Sequence, residues 1–375
     1  MRWCRIPSGA LGAAVVALAS CGDDSDDVGG PPDEAVEVEI AAELDRGPGN
    51  LTITPDGRRV TSLHQAYAPV RVLAELSGSG SGTTLLNYPD LGEGEIPVGL
   101  TAILGIRSDT AGVLYMLDNG SSGLAPSKLL LWDSNTDQLL GNISLESVTE
   151  PNSFVNDLAF DYARNQVYIS DPAGGDNAAI VVVDLATGQA RRVLRADPSV
   201  IADPAVTFSV EGITPTRRLP DGTLVQPRLG VDGIVIDYDR EWVYYGALHG
   251  TTLYRIPAAS LADPAAAAQL PTLVESYATK PPSDGMAIDS EDNIYLGDLP
   301  HNAFGVITPD RQYRELGRSA EYKWVDDFEF DAEGRLHFVT TQLHRSPDLN
   351  AGQRAGVPPF RIFRFDPLAE GRQGY

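Results

Sequence analysis

Cysteine is almost absent: 375 residues contain two, Cys4 and Cys21. Both stand near the N-terminus, so no disulfide staples the rest of the chain, and its stability must come from packing. Basic residues are scarce too, 28 Lys and Arg against 52 Asp and Glu, for a formal net charge of −24. That balance disfavours nucleic acid and anionic membrane surfaces as partners; it suits a cationic ligand, or simply solubility in a secreted protein. There is no Ser-His-Asp spacing, Walker loop, zinc motif or dinucleotide fingerprint. Gly78 to Gly82 leads into neither a Lys-Ser/Thr pair nor a helix, so it reads as a flexible loop rather than a phosphate cradle. Long amphipathic helices are missing as well, and only Pro264 to Gln269 suggests a short one.

The N-terminus carries an address. Met1 to Arg5 is basic, the apolar run Ala10 to Ala19 is too short to span a membrane as a mature helix, and small residues follow, as in a secretory signal peptide. Leu18-Ala19-Ser20-Cys21 resembles the lipobox of bacterial lipoproteins. Residues 1–20 are therefore expected to be a lipoprotein-type signal peptide, with Cys21 lipidated and the protein secreted and anchored to a bacterial cell envelope through that lipid alone. Residues 21–34, rich in Asp, Gly and Pro, form an acidic flexible tether, and residues 35–375 a single domain.

What the domain has in abundance is a repeat. An Asp, three or four mostly apolar residues, a second Asp, a polar turn and an apolar or aromatic run recur from Asp157, Asp232, Asp284 and Asp327. Weaker copies start near Leu51 and Leu104. Each copy reads as two short strands and a tight turn, usually followed by one or two further strands. Six units at roughly 40–50 residues describe an all-β, six-bladed β-propeller with four-stranded blades. A pair of β-sandwiches is the alternative. The period-two run Ala35 to Ile40 is expected to pair with Pro359 to Phe365 and close the ring.

In such a blade the innermost strand lines the central channel, so first-strand starts and second-strand ends emerge on one face. The starts are Asn50, Asn156, Asp157, Asp232, Asp284, Asp326 and Asp327; the ends include His64, Asp118, Asp171, His249, Asp298, Gln342 and His344. The plainest reading is that these residues satisfy strand-end backbone groups. A second is a hard-cation site for Ca²⁺ or another divalent ion, with Asn156, Asp232 and Asp284 as ligands. A third is an organic amine held by Asn156, Asp157, Asp171, Asp232, Asp284, Asp298, Asp326 and Gln342, with Trp324 for stacking.

The segments Val155 to Ala159 with Tyr168 to Pro172, Val231 to Ile234, Ser283 to Asp289 and His301 to Gly305 resemble the major royal jelly protein and yellow family. Gly49 to Gly57, Gln342 to Pro347 and Pro358 to Ile362 resemble its bacterial branch, often labelled L-dopachrome tautomerase-related. The resemblance implies a six-bladed propeller, and either a dopachrome-type tautomerase or a non-catalytic amine binder, here a monomer. For a tautomerase, His249 or His344 is the candidate base, with Asp232, Asp284 or Asp327 orienting it or holding the amine. The regucalcin and gluconolactonase propellers are similar at Asn156 and Asp284 but place a metal-binding Glu where Asn50 or Leu51 stands here, which weakens the third reading of activity, a metal-dependent lactonase.

Overall fold

The computed structural model describes residues 36–88, 99–120 and 125–374. The expected signal peptide, Cys21 and the acidic tether lie outside the described residues. Six four-stranded antiparallel sheets form the six blades of a propeller. Their innermost strands are Pro48–Ile53, Ile103–Ser108, Leu158–Asp161, Val231–Ile236, Met286–Ile288 and Val325–Phe330. Among the described residues no helix is long and apolar enough to cross a membrane.

The ring closes as the terminal runs suggest. Val38–Leu44 pairs antiparallel with Phe360–Phe365, from Val38 opposite Phe365 to Leu44 opposite Phe360, and completes blade 6. This strand begins and ends later than the sequence suggests. A bulge between Ile40 and Ala42 resets the alternation, so Ile40 faces solvent and Ala41, Ala42 and Leu44 are buried. Gly78 to Gly82, expected to be a flexible loop, is tied to that strand: the Gly80 N–H donates to the Ala41 carbonyl at 3.0 Å, and Glu43 N–H donates to the Gly80 carbonyl at 2.9 Å. The helix expected at Pro264 to Gln269 is broken into shorter turns. Asp263 accepts from Ala265 N–H and opens the turn Pro264–Ala266, and Pro264 and Pro271, each in the first turn of its element, separate it from the helices Ala258–Ala262 and Leu270–Leu273.

Between blades, apolar side chains from facing sheets interdigitate. Around blades 5 and 6 the contact is aromatic, with Phe304 at 4.7 Å from Phe338 and 4.8 Å from Phe365, ring centre to ring centre. Each fully buried ring of this kind contributes on the order of 1.5–3 kcal/mol, which is how a chain without disulfides holds its blades together.

An Asp at the end of the innermost strand builds the following turn in five of the six blades, and in the first blade Thr54 Oγ1 accepts from Arg58 N–H instead. Asp109, Asp237, Asp289 and Asp331 each accept two backbone N–H bonds from the residues that follow, and Asp161 accepts from Arg164 N–H and the Tyr168 hydroxyl. At the other end, four of the six innermost strands carry a bulge, at Gly49-Asn50, Leu104-Gly105, Asp232-Gly233 and Asp326-Asp327. A bulge re-aims the side chains of its two residues, and three of these four bulges bring a mouth Asn or Asp into the channel.

Candidate ligand-binding site at the channel mouth

A cavity of about 410 Å³ opens at the bulged end of the channel, lined by Asn50, His64, Asn156, Asp232, Asp284, Trp324 and Asp326 among others. Its floor is the ring of first-strand starts. The blades crowd there: a Cβ on Gly233 would stand 2.6 Å from the carbonyl oxygen of Asp284, and one on Gly285 would stand 2.8 Å from that of Asp326. Glycine after the leading Asp therefore lets neighbouring blades touch, and the touching places Asp232, Asp284 and Asp326 side by side. The upper wall comes from elsewhere. Residues between Val193 and Val231 carry the small hairpin Arg217–Arg218 with Leu224–Val225, and this insertion meets the blade-6 loop where Thr216 N–H donates to Leu349 O at 2.8 Å. Phe154, Leu219, Leu229, Leu248, Leu343 and Leu349 make much of the wall apolar.

Each floor carboxylate has a different set of partners. Asp232 accepts from the Asn156 amide, Asp284 accepts from the Trp324 indole N–H at 2.7 Å, and Asp326 has neither a hydrogen bond nor an ion pair among the described residues. All three are buried. Burial, and then the neighbouring carboxylates, hold Asp232 and Asp326 well above the usual carboxylate range, and the same causes push Asp284 up to about 7. One cation sits behind them. The buried Lys280 ammonium donates to Ala247 O, Gly250 O, Pro281 O and the Ser283 hydroxyl, and burial brings it down to about 7 against the pull of Asp232 and Asp284.

Deeper in the channel the carboxylates are paired. Arg107, on the innermost strand of blade 2, reaches across to Asp327 at 2.8 Å and Glu329 at 2.9 Å on blade 6. Asp327 also accepts from Leu51 N–H, Glu329 accepts from Gly374 N–H, and Asp157 accepts from the Asn50 amide. One guanidinium cannot neutralise two carboxylates, and burial pushes Asp327 to about 7 and Glu329 to about 8 despite it. Neither Arg107 nor Glu329 was among the sequence candidates. The signal was one charge in each of two otherwise apolar inner-strand runs, Ile106-Arg107-Ser108 and Phe328-Glu329-Phe330.

The candidates thus separate. Asn156, Asp232, Asp284, Trp324 and Asp326 line the cavity. Asp157 and Asp327 point below it. Asp171 anchors the cavity wall, accepting from Phe154 N–H and the Ser153 hydroxyl and pairing with Arg192. Asp298 pairs with His301, and Gln342 holds Val357 through both ends of its amide. His249 and His344 are outside the lining: His249 accepts from Leu229 N–H, and His344 bonds Glu211 at 2.8 Å and stacks on Trp324. The imidazole in the wall is His64, whose Nδ1 accepts from Ala66 N–H, and burial takes its pKa down to about 4. Among the described residues no three His, Cys, Asp or Glu side chains gather closely enough to hold a metal ion. Asn156, Asp232 and Asp284, the residues the sequence suggests for a divalent ion, all line the floor, where Asp232 accepts from the Asn156 amide and Asp284 from the Trp324 indole.

Residues 101–335 match the model of the major royal jelly protein family. The chain belongs to that family. No curated protein matches it by sequence. Among solved structures, a luciferin-regenerating enzyme is similar at 12% identity with a TM-score of 0.56, covering 90% of this chain and 98% of its own. A regucalcin from Agrobacterium tumefaciens, described as a calcium-binding protein, is similar at 15% identity with a TM-score of 0.54, covering 89% and 96%. A putative gluconolactonase is similar at 12% identity and 0.51, covering 90% and 94%. At these identities the likeness establishes the shared propeller fold and nothing finer.

Proposed function

We propose that this protein binds a small organic cation with an apolar, aromatic-sized body at the channel mouth. The observation that carries the reading is Asp326: a buried carboxylate without a partner among the described residues, beside Asp232 and Asp284, on the floor of a cavity with largely apolar walls. A charge so placed is costly when nothing pairs with it, and an ammonium group is the natural counter-ion. Trp324, whose indole nitrogen is committed to Asp284, supplies an aromatic surface in the same lining. The test is calorimetric titration of the purified protein with tyramine, dopamine and tryptamine against phenol, catechol and indole. The amines are expected to bind and the neutral rings to bind at least about tenfold more weakly; equal affinity within each pair sinks the reading.

A second reading, a proton shift on a bound catechol-type ring, has one observation in its favour. Asp284, near 7, can both give and take a proton at neutral pH, as a carbon-to-oxygen proton transfer requires. Turnover of dopachrome that vanishes in Asp284→Asn supports it, and no turnover above the uncatalysed rate removes it. Anchoring at the cell envelope through Cys21 belongs to the same proposal. Release of a Cys21→Ser variant from membranes checks it.

A further inference from the structure

The floor of the cavity accounts for an ammonium group and leaves the charge on its wall without a role. Two guanidinium groups, Arg217 and Arg228, share the lining with Asp232, Asp284 and Asp326. Arg217 stands on the covering hairpin, exposed, and its guanidinium makes no ion pair or hydrogen bond among the described residues. Arg228 is half-buried and donates to the carbonyl of Val206, with no carboxylate in ion-pair range among the described residues. One acid, Asp348, shares this side with them; burial raises its pKa and Arg217 draws it back down. The wall therefore carries two permanent positive charges against at most one negative, while the floor carries three carboxyl groups that burial and mutual repulsion keep largely protonated until a cation meets them, with Lys280 behind. The cavity is electrically polarised, with Leu219, Leu229 and Leu349 among the apolar groups of the same lining.

We infer that the ligand is a zwitterion: a carboxylated aromatic amine whose ammonium faces Asp232, Asp284 and Asp326 and whose carboxylate is taken by Arg217 and Arg228. This rests on the amine reading above and narrows it. A plain amine leaves both guanidinium groups in the lining without a carboxylate in ion-pair range among the described residues. A carboxylate meets a guanidinium through two parallel N–H···O bonds, so the second charge contributes geometry as well as attraction. It also opposes wrong ligands, because a dication would meet the arginines and a simple anion the floor.

Matched probes separate the two readings. Tryptophan, tryptamine and indole-3-propionate are titrated into the wild type, Asp326→Asn, and the double variant Arg217→Met/Arg228→Met, with each variant's melting curve recorded as a check on folding. Tryptophan is expected to bind at least about tenfold tighter than tryptamine. The double arginine variant removes that preference by weakening tryptophan, while tryptamine keeps or gains affinity, because the floor is untouched and two charges that repel its ammonium are gone. If tryptamine binds as well as tryptophan and only Asp326→Asn weakens it, the zwitterion inference falls and the amine reading stands. If indole-3-propionate matches tryptophan and Asp326→Asn changes nothing, the arginines form an anion site and the amine reading falls with the inference. Failure of all three probes to bind overturns both.

Discussion

Two sets of aspartates sit at opposite ends of the same innermost strands, and their surroundings differ completely. At the turn end, Asp289 accepts from Glu291 N–H and Asn293 N–H at 3.0 Å, from the Tyr295 hydroxyl at 2.8 Å and from Ala369 N–H at 3.2 Å. At the mouth end, Asp326 accepts from nothing among the described residues, and Asp232 and Asp284 have one side-chain donor each. Both sets belong to one repeat with one spacing. The chain invests turn aspartates in holding backbone N–H groups that would otherwise be orphaned. It leaves mouth aspartates facing a cavity, where their charge has no structural use. Between the two ends Arg107 pairs with Asp327 and Glu329, and Asp157 accepts from the Asn50 amide, so Asp326 at the mouth is the inner-strand acid that has neither kind of partner among the described residues.

Breaking the middle of the channel has the largest expected effect. Arg107→Met leaves Asp327 and Glu329 buried without their cation and should cost about 3–5 kcal/mol in denaturant unfolding. Adding Glu329→Gln should recover part of that loss, because it removes one of the stranded charges. No recovery would mean that Arg107 acts through packing alone. Next is the turn end: Asp289→Ala strips the partner from three backbone N–H groups and a tyrosine hydroxyl, for an expected loss of about 2–4 kcal/mol. At the mouth the comparison reverses. Asp326→Asn should leave the unfolding midpoint unchanged or raised, yet weaken amine binding by about 2 kcal/mol, roughly 30-fold in Kd. A destabilised Asp326→Asn with intact binding would place Asp326 among the structural aspartates.

The blades were readable because a hairpin repeat depends on local rules: β-branched and aromatic runs, polar turns, and an Asp that caps each turn. Ring closure was readable from two period-two runs at the chain ends, although the bulge at Ile40 to Ala42, a matter of pairing rather than composition, moved the first strand. At the mouth, Asp232, Asp284 and Asp326 were legible from register, since the starts of innermost strands converge on the axis. The strand-end residues were not separable by the same logic. Whether Asp171 faces a ligand or Phe154 N–H depends on where the preceding loop runs, and His249 and His344 stand behind the wall because the insertion before blade 4 packs over them with Phe208 and Glu211. The wall itself was invisible, because the insertion carries no repeat. Arg107 was hidden for a different reason: its partners lie on a blade about 220 residues away, and nothing local announces an ion pair across the axis.

The last comparison, and the sharpest, is in pH. Asp284 and Asp327 are held near 7 and Glu329 near 8, against an unfolded carboxylate near 4. The folded chain therefore binds more protons than the unfolded one between those values, and these groups make stability fall as pH rises from about 4 to about 8, with no further change above. Other groups act oppositely on either side. His64, His249 and His344, each lowered to about 4, cost stability as pH falls below about 6.5, and Lys280, lowered to about 7, adds stability as pH rises from about 7 towards 10. The difference between wild type and Asp284→Asn isolates one mouth carboxylate from this background. It should grow in favour of the variant from about pH 4 to about pH 7 and then stay constant; a difference that does not change with pH over that range would show Asp284 to be an ordinary, ionised side chain. The same proton answers to the ligand. A cation seated on the floor favours ionised carboxylates, so binding should release protons near pH 7, seen as a dependence of the calorimetric heat on the buffer's ionisation enthalpy, and affinity should rise from pH 6 to pH 8. In Asp284→Asn the proton release should shrink while binding persists, because Asp232 and Asp326 still face the ligand.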